Sequence, residues 1–194
     1  MDCIPICMPV RAFVAVEVPV GELKGMDEVL HELGAVPGLK CVERHNIHIT
    51  IRFLGDVSDQ LLAAIESAIA DALQGASGFQ TRVYGIGAFP SERDIRVVWA
   101  GAISPALEDI AAKINAAIDK LGLKADKSFT PHITLARLKQ RQFERASREI
   151  VAKHRSAEFG SYNVSKVKLK KSTLAPSGPI YEDIRAWDLP PPSG

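Results

Sequence analysis

One four-residue phrase occurs twice in the chain, first as His48-Ile49-Thr50-Ile51 and again, 84 residues later, as His132-Ile133-Thr134-Leu135. Successive side chains of a β-strand point to opposite faces, so the histidine and threonine of each copy are expected to share one face. The aliphatic residues of each copy then point to the other face, into the core. The duplication predicts two similar lobes, because two copies are too few for a repeat array.

Seven segments carry the apolar alternation and the turn boundaries that are typical of β-strands. They span residues 10–18, 47–54, 79–86, 95–100, 132–138, 164–174 and 180–187. A turn containing Gly87, Pro90 and Ser91 is expected between the third and fourth strands, and residues 176–179 are expected to form another turn.

Four segments show helical spacing of their apolar residues. The third is the strongest, because Ser104 and Pro105 supply an N-cap and a first-turn proline, and Gly122 follows the last apolar position. Ser58 is expected to cap the second helix, which Gly75 closes. The expected apolar positions are, helix by helix, Leu23, Met26, Leu30 and Leu33 before Gly34; Leu61, Ile65, Ile69 and Leu73; Leu107, Ile110, Ile114, Ile118 and Leu121; and Phe143, Ala146, Ile150 and Val151.

The connections between strands indicate the fold class. Several of them are short enough for hairpins, which join antiparallel strands, whereas parallel strands need long crossovers. The expected fold is therefore α+β, with two antiparallel or mixed sheets and helices on the outside. We expect one domain over residues 10–188, preceded by a leader (1–9) and followed by a flexible tail (189–194).

The composition is that of an ordinary globular protein: 194 residues, 46% of them hydrophobic and 24% charged. No apolar run approaches the roughly 20 residues that span a bilayer, so no membrane segment is expected. Cys3, Cys7 and Cys41 are expected to be free thiols of a reducing compartment, and no targeting signal is evident. We expect a cytoplasmic monomer, for which Met8 is an alternative start.

The net charge of +1 conceals a basic segment at residues 127–171, which carries 12 Lys or Arg against three Glu, a local balance of +9. Such an asymmetry favours a polyanion as partner. A solvated charged face accounts for the same pattern, so charge alone does not decide between them.

The two histidines have a chemical use as a pair. With an unperturbed pKa of about 6.5, one imidazole can be protonated while the other is neutral, so the pair can act as acid and base in one turnover. Threonine hydroxyls can donate hydrogen bonds to phosphate oxygens, and such a set is suited to cleaving a phosphodiester. Zinc typically needs three protein ligands, and no Cys, Asp or Glu lies close to either phrase, while His45 would face away from His48. We therefore expect neither a metal nor a cofactor.

Both phrases stand in longer runs that resemble a known family. These runs are 11–17 (RAFVAVE), 48–55 (HITIRFLG), 131–137 (PHITLAR), 172–174 (STL) and 178–182 (GPIYE). Together they are similar to the RNA 2′,3′-cyclic phosphodiesterases of the two-histidine phosphoesterase superfamily, the group historically called 2′-5′ RNA ligases. The resemblance covers residues 10–188 and leaves the leader outside.

The resemblance implies a bilobal fold with pseudo-twofold symmetry and an active site in the cleft between the lobes. It also implies metal-independent hydrolysis of RNA 2′,3′-cyclic phosphate ends to 2′-phosphomonoesters, with reversible 2′-5′ joining of ends. His48 falls at the position of the proton donor and His132 at that of the proton acceptor. Thr50 and Thr134 fall at the positions that hold the phosphate. The implied substrates are RNA ends, tRNA-like fragments among them, or small nucleotides.

Four further residues are candidates for contact with substrate. Strict alternation puts Arg52 on the face of His48, where it would contact an anion. Arg137 falls with the aliphatic residues and would reach substrate only if its strand bulges or ends there. Phe53 and Phe129 could stack on a base, but alternation places Phe53 on the apolar face, where core packing is expected.

Two other functions fit the same residues. A non-catalytic RNA-binding module would use the basic segment, and it predicts salt-sensitive binding without hydrolysis. A phosphodiesterase of small cyclic or 2′-5′-linked nucleotides would keep the chemistry and change the substrate. The matched histidines favour an enzyme, since a pure binder does not need two titrating groups.

Overall fold

The computed structural model describes residues 9–125, 128–176 and 178–191. Its strands and helices are, in chain order, β1 (Val10–Glu17), α1 (Met26–Ala35), β2 (Leu39–Cys41), β3 (His48–Val57), α2 (Asp59–Ala72), β4 (Phe79–Ser91), β5 (Asp94–Ile103), α3 (Pro105–Asp119), β6 (His132–Leu138), α4 (Glu144–Lys153), β7 (Glu158–Val164), β8 (Lys166–Ala175) and β9 (Gly178–Asp188). Several sequence predictions fall outside the described residues, namely those on Cys3, Cys7, Met8, Lys127, Ser177 and residues 192–194.

The predicted helix starts at Ser58 and Ser104 are confirmed. The Ser104 hydroxyl accepts a hydrogen bond from the backbone N–H of Leu107, and the Ser58 hydroxyl accepts one from Leu61. Each such cap contributes about 1 kcal/mol to helix stability. The prediction for the first helix is wrong at its end, because α1 continues through Gly34 to Ala35. Glycine lowers helix stability by only about 1 kcal/mol, which packing of the neighbouring buried residues offsets.

The strands form two antiparallel sheets, so the predicted α+β class is confirmed. Sheet A has four strands in the order β3-β1-β8-β9, and sheet B has five in the order β2-β6-β5-β4-β7. Each motif strand, β3 or β6, is followed on one side by three further strands of its own sheet. The two motif strands also contact each other where the sheets meet.

Two strands were absent from the prediction and one turn was misplaced. β2 has only three residues, and β7 lacks a clear apolar alternation, so neither gave a strong pattern. Residues 87–91 belong to β4 rather than to a turn, because β4 pairs with β5 as far as Ser91 and Asp94. Cross-strand pairing thus overrides the local turn preference of glycine and proline.

The hydrophobic core lies against one face of each sheet. The aliphatic residues of both phrases are buried there as predicted: Ile49 0%, Ile51 4%, Ile133 0% and Leu135 0% exposed. Helix residues such as Ile65, Ile114 and Val151 join the same cluster. We call the opposite face of each sheet, which carries the motif histidine, its histidine face. In the part of the chain that the structure describes, no helix is long and apolar enough to cross a membrane.

Candidate active site

His48 is held by two hydrogen bonds close to its own strand. Its Nδ1 lies 2.6 Å from the backbone oxygen of Asn46, and its Nε2 lies 3.0 Å from the hydroxyl oxygen of Thr50. A carbonyl oxygen can only accept, so Nδ1 carries a hydrogen and donates it. Nε2 is then the ring nitrogen that gains or loses a proton during a reaction.

His132 repeats half of this arrangement. Its Nδ1 lies 2.8 Å from the backbone oxygen of Thr130, again the carbonyl two residues earlier. Nδ1 therefore donates here as well, and Nε2 is left with a lone pair in the neutral ring. Unlike Nε2 of His48, this nitrogen has no hydrogen-bond partner among the described residues. Both histidines therefore have the same tautomer, with the hydrogen on Nδ1. They differ at Nε2, which contacts Thr50 in His48 and has no partner among the described residues in His132.

Aromatic rings hold both imidazoles in place. The ring of Phe13 lies 5.0 Å from that of His48 between centroids, and the ring of Tyr181 meets it edge-on at 5.4 Å. Phe89 meets the ring of His132 edge-on at 5.0 Å. Aromatic contacts of this geometry contribute about 0.5–1.5 kcal/mol each. These three residues received no role from the sequence, although Phe13 and Tyr181 lie in the runs that carry the family resemblance.

Strand β3 contains a β-bulge within its phrase. Thr50 pairs with Ala15 of β1, whereas Arg52 pairs with the adjacent residue Val14, so Ile51 is an extra residue on β3. Side chains that pair across antiparallel strands share a face, and adjacent residues on β1 point to opposite faces. Arg52 therefore points away from the histidine face.

The predicted anion contact of Arg52 is wrong for this reason. The arginine is 5% exposed, and its guanidinium lies against α3. It donates hydrogen bonds to Asn115 (3.1 Å), to Asp119 (2.6 Å) and to the backbone oxygen of Leu123. These contacts anchor β3 to the end of α3, so Arg52 has a structural role.

The same bulge places Phe53 on the histidine face. Phe53 pairs with Phe13, which contacts His48, and the two phenylalanine rings lie 6.0 Å apart. Phe53 is 68% exposed, so the expectation of core packing is wrong. Phe129, the other aromatic candidate, is half-buried and packs against the core.

Strand β6 has its bulge at the equivalent position. Thr134 pairs with Trp99 of β5 and Ala136 pairs with Val98, so Leu135 is the extra residue. Arg137 then pairs with Val97, two residues from Trp99, and joins the histidine face. Substrate contact by Arg137 was expected only if its strand bulges, and this bulge is present. Arg137 is exposed and has no hydrogen bond or ion pair within the described ranges.

Residues from both sheets converge on this site. The positive charge of a protonated His132, on sheet B, acts to lower the pKa of His48, on sheet A. The charge of Arg137, on sheet B, likewise acts to lower the pKa of Tyr181, on sheet A. Burial is the largest influence on the pKa of His48 and lowers it. The hydrogen bond to Asn46 opposes that shift, and the net pKa stays below its ordinary value.

A network of four charges lies beside His48 on the histidine face of sheet A. Lys168 and Lys170 each bridge Glu17 and Asp183, with Lys168 at 2.7 Å from both carboxylates. Burial raises the pKa of each carboxyl, but the hydrogen bonds from the two lysines outweigh it, so both pKa values are lowered. Since Glu17 pairs with His48 across the strands, this network sets the charge around the first histidine.

The basic segment is largely neutralised by ion pairs, which favours the solvated face over a continuous anion-binding surface. Its arginine and lysine pairs include Arg141 with Asp94, Arg145 with Glu149, Arg148 with Glu144, Lys153 with Glu32, Arg155 with Glu92, Lys166 with Asp188 and Lys171 with Glu182. Arg137 is the member of the segment that stands unpaired on the histidine face, among residues 128–171.

No group of three His, Cys, Asp or Glu side chains in the described residues is placed to hold a metal ion. His45 is exposed and pairs with Glu43 at 3.3 Å, away from the two motif histidines. The arrangement instead offers two imidazoles, two hydroxyls and a free guanidinium, a set that can move protons at a bound phosphate.

Comparison with known proteins places the chain in a family. A model of the 2′-5′ RNA ligase superfamily matches residues 14–173, which include both phrases. The chain belongs to this superfamily.

Relatives of known name support the same placement. The RNA 2′,3′-cyclic phosphodiesterase of Methanothermobacter thermautotrophicus is 35% identical, over 94% of this chain and 100% of the relative. That of Archaeoglobus fulgidus is 38% identical, over 92% of this chain and 99% of the relative.

Solved structures share the fold. The crystal structure of TT0787 from Thermus thermophilus superposes with a TM-score of 0.80 at 28% identity, covering 93% of this chain and 98% of that chain. E. coli LigT complexed with 3′-AMP superposes with a TM-score of 0.74 at 24% identity, over 93% of this chain and 98% of LigT.

Proposed function

We propose that this protein hydrolyses 2′,3′-cyclic phosphate ends of RNA to 2′-phosphomonoesters, with His48 as general acid and His132 as general base. The observation that carries the proposal is the matched pair of histidines. Each donates through Nδ1 to the carbonyl two residues earlier, and each stands on a motif strand that contacts the other. The names of the relatives support the choice of substrate.

His132 suits the role of base. Its Nε2 carries no hydrogen in the neutral ring and has no partner within the described part of the chain, so it can accept a proton from water. The water oxygen then attacks phosphorus. The carbonyl of Thr130 stabilises the imidazolium that forms, because it accepts from Nδ1 in both protonation states.

His48 suits the role of acid. When protonated, its Nε2–H can be delivered to the departing 3′ oxygen as the bond between phosphorus and that oxygen breaks. Burial favours the neutral ring, so loss of the proton is energetically favourable at this step. At the end of the reaction His48 is neutral and His132 is protonated, and exchange with solvent restores both.

Three other side chains are placed to hold the phosphate. Thr50 and Thr134 lie two residues after the histidines on the same faces and can donate to nonbridging oxygens. Arg137 adds a guanidinium with no competing carboxylate, and such charged hydrogen bonds are the strong ones. Phe53 offers an exposed ring on the same face, where single-stranded RNA bases commonly stack.

Product analysis tests this proposal. An RNA that ends in a 2′,3′-cyclic phosphate is incubated with the protein in excess chelator, and the products are separated against 2′-phosphate and 3′-phosphate standards. We expect a 2′-phosphate end and undiminished turnover in chelator. A 3′-phosphate would reverse the roles of the two histidines, and loss of activity in chelator would contradict a metal-independent reaction.

The same assay separates the alternatives. Binding without turnover would identify a non-catalytic RNA-binding module. Equal turnover of small cyclic nucleotides and RNA ends would move the substrate towards small molecules. In the related joining reaction, a 5′-hydroxyl replaces water, attacks the cyclic phosphate and loses its proton to His132, while the 3′ oxygen departs with a proton from His48, so that a 2′-5′ linkage forms. This reaction, and its reversal, are tested with a 5′-hydroxyl RNA in excess. A cytoplasmic location and a monomeric state stay predictions, and sedimentation addresses the second.

A further inference from the structure

Sheet B carries a stacked pair of tyrosine and arginine that the proposed chemistry does not use. Gly101 of β5 pairs with His132 on one side and with Tyr84 of β4 on the other. Since residues that pair across strands share a face, Tyr84 stands on the histidine face in line with His132. Two strand spacings separate them, which is about 10 Å.

Between the two side chains, the surface of the sheet is formed by the backbone of Gly101. Gly101 has no side chain, and a Cβ placed there would lie 2.5 Å from the backbone oxygen of Tyr84 and 3.7 Å from the indole of Trp99. Any other residue at this position would collide with that backbone oxygen. The result is a shallow path that runs from His132 across Gly101 to Tyr84.

Tyr84 forms a prepared platform with Arg82. The guanidinium carbon of Arg82 lies 4.9 Å from the centre of the Tyr84 ring. Glu158 of β7 holds that guanidinium by accepting from Nε at 3.0 Å and also from a terminal nitrogen. Tyr84 is half-buried and Arg82 is exposed, so the pair is fixed in place yet open to solvent.

We infer that Tyr84 and Arg82 form a second nucleotide subsite, which takes the base of the nucleotide on the 5′ side of the cyclic phosphate end. The inference rests on the proposed function. A cyclic phosphate closes the 3′ end of an RNA, so every further nucleotide must leave the site in the 5′ direction. On the histidine face of sheet A, the exposed ring of Phe53 is then available to the terminal base.

Stacking explains why the subsite would accept any base. Aromatic rings and guanidinium planes stack with all four bases, because every base has a π face. A stacked base of this kind typically changes affinity by roughly 5- to 150-fold. The subsite therefore predicts a preference for oligonucleotides over cyclic mononucleotides without a preference of sequence.

The experiment compares two substrates, uridine 2′,3′-cyclic phosphate and the dinucleotide adenylyl-uridine 2′,3′-cyclic phosphate. In the unchanged protein, we expect kcat/KM to be about tenfold or more higher for the dinucleotide. Tyr84→Leu should remove that advantage and leave the mononucleotide unaffected, whereas Tyr84→Phe should retain it. Exchanging adenine for cytosine in the dinucleotide should change little.

Several results would overturn the subsite. One is equal kcat/KM for the two substrates in the unchanged protein, and another is an equal loss for both substrates in Tyr84→Leu. A Tyr84→Leu protein that keeps its full preference for the dinucleotide has the same meaning. Absence of turnover with either substrate in the unchanged protein would instead contradict the proposed function. Thermal unfolding of both variants confirms that they are folded.

Discussion

Ile51 and Leu135 hold the same place in the two phrases, and each is the extra residue of a β-bulge. A bulge reverses the facing of the residues that follow it, as far as the next irregularity of the strand. Phe53 and Arg137 consequently reach the histidine faces, from positions where alternation would bury them. The two sheets thus present the same pair of imidazole and hydroxyl, followed by a phenylalanine on one and an arginine on the other.

Removing either motif histidine should abolish most of the activity. His48→Ala and His132→Ala are each expected to lower kcat by about 10²- to 10⁴-fold, the usual contribution of a general acid or base. His45→Ala is the matched control, since His45 is exposed and three residues from His48. Steady-state assays with an RNA 2′,3′-cyclic phosphate make the comparison. Full activity in either motif variant would exclude the proposed mechanism.

Replacing Arg52 should lower stability, whereas replacing Arg137 should impair the use of substrate. Arg52→Met removes the buried partner of half-exposed Asp119 and should lower the free energy of unfolding by about 2 kcal/mol. Arg137→Met should leave stability within about 0.5 kcal/mol and lower kcat/KM by roughly 10- to 150-fold. Urea unfolding and steady-state kinetics on both proteins test the contrast. The opposite pattern would contradict a buried Arg52 and an exposed Arg137.

Phe53→Ala is expected to impair substrate binding rather than folding. An exposed ring contributes little to stability, so the free energy of unfolding should change by less than about 0.5 kcal/mol. Loss of a stacked base should raise KM by roughly 5- to 150-fold. A buried phenylalanine would instead cost about 3–5 kcal/mol when truncated. Unfolding measurements on this one variant therefore decide whether Phe53 faces solvent or core.

His48 should titrate below the ordinary range of histidine. Its pKa is lowered, chiefly by burial, so NMR of the imidazole should give a midpoint below about 6.5 in the free protein. A bound phosphate adds negative charge and should raise that midpoint. The same pKa shift makes the free energy of unfolding depend on pH. Because the pKa of His48 is lower in the folded than in the unfolded state, the stability that His48 contributes is present above about pH 6.5. It is lost as the pH falls through the folded pKa. A midpoint above 6.5 without ligand would contradict this placement of the ring.

A structural feature can be predicted from the sequence when the interactions that produce it are local in the chain. The repeated phrase identified both histidines, both threonines and the buried aliphatic residues, because alternation along one strand is a local property. The caps at Ser58 and Ser104 were likewise readable, since a cap spans only three residues. Alternation places Arg52 and Phe53 on the wrong faces, because a bulge becomes visible only when the partner strand is known.

The sequence by itself determined the chemistry that this protein can offer: two matched imidazoles, two hydroxyls and the fold class that carries them. Tertiary structure alone decided which arginine is free, which aromatic ring is exposed, and that Phe13, Tyr181 and Phe89 hold the histidines. It also paired Arg141, Lys153 and Arg155 of the basic segment with acids that are distant in sequence. The physical reason is that cross-strand register and ion pairing join residues far apart in the chain, and alternation within one strand carries no information about them.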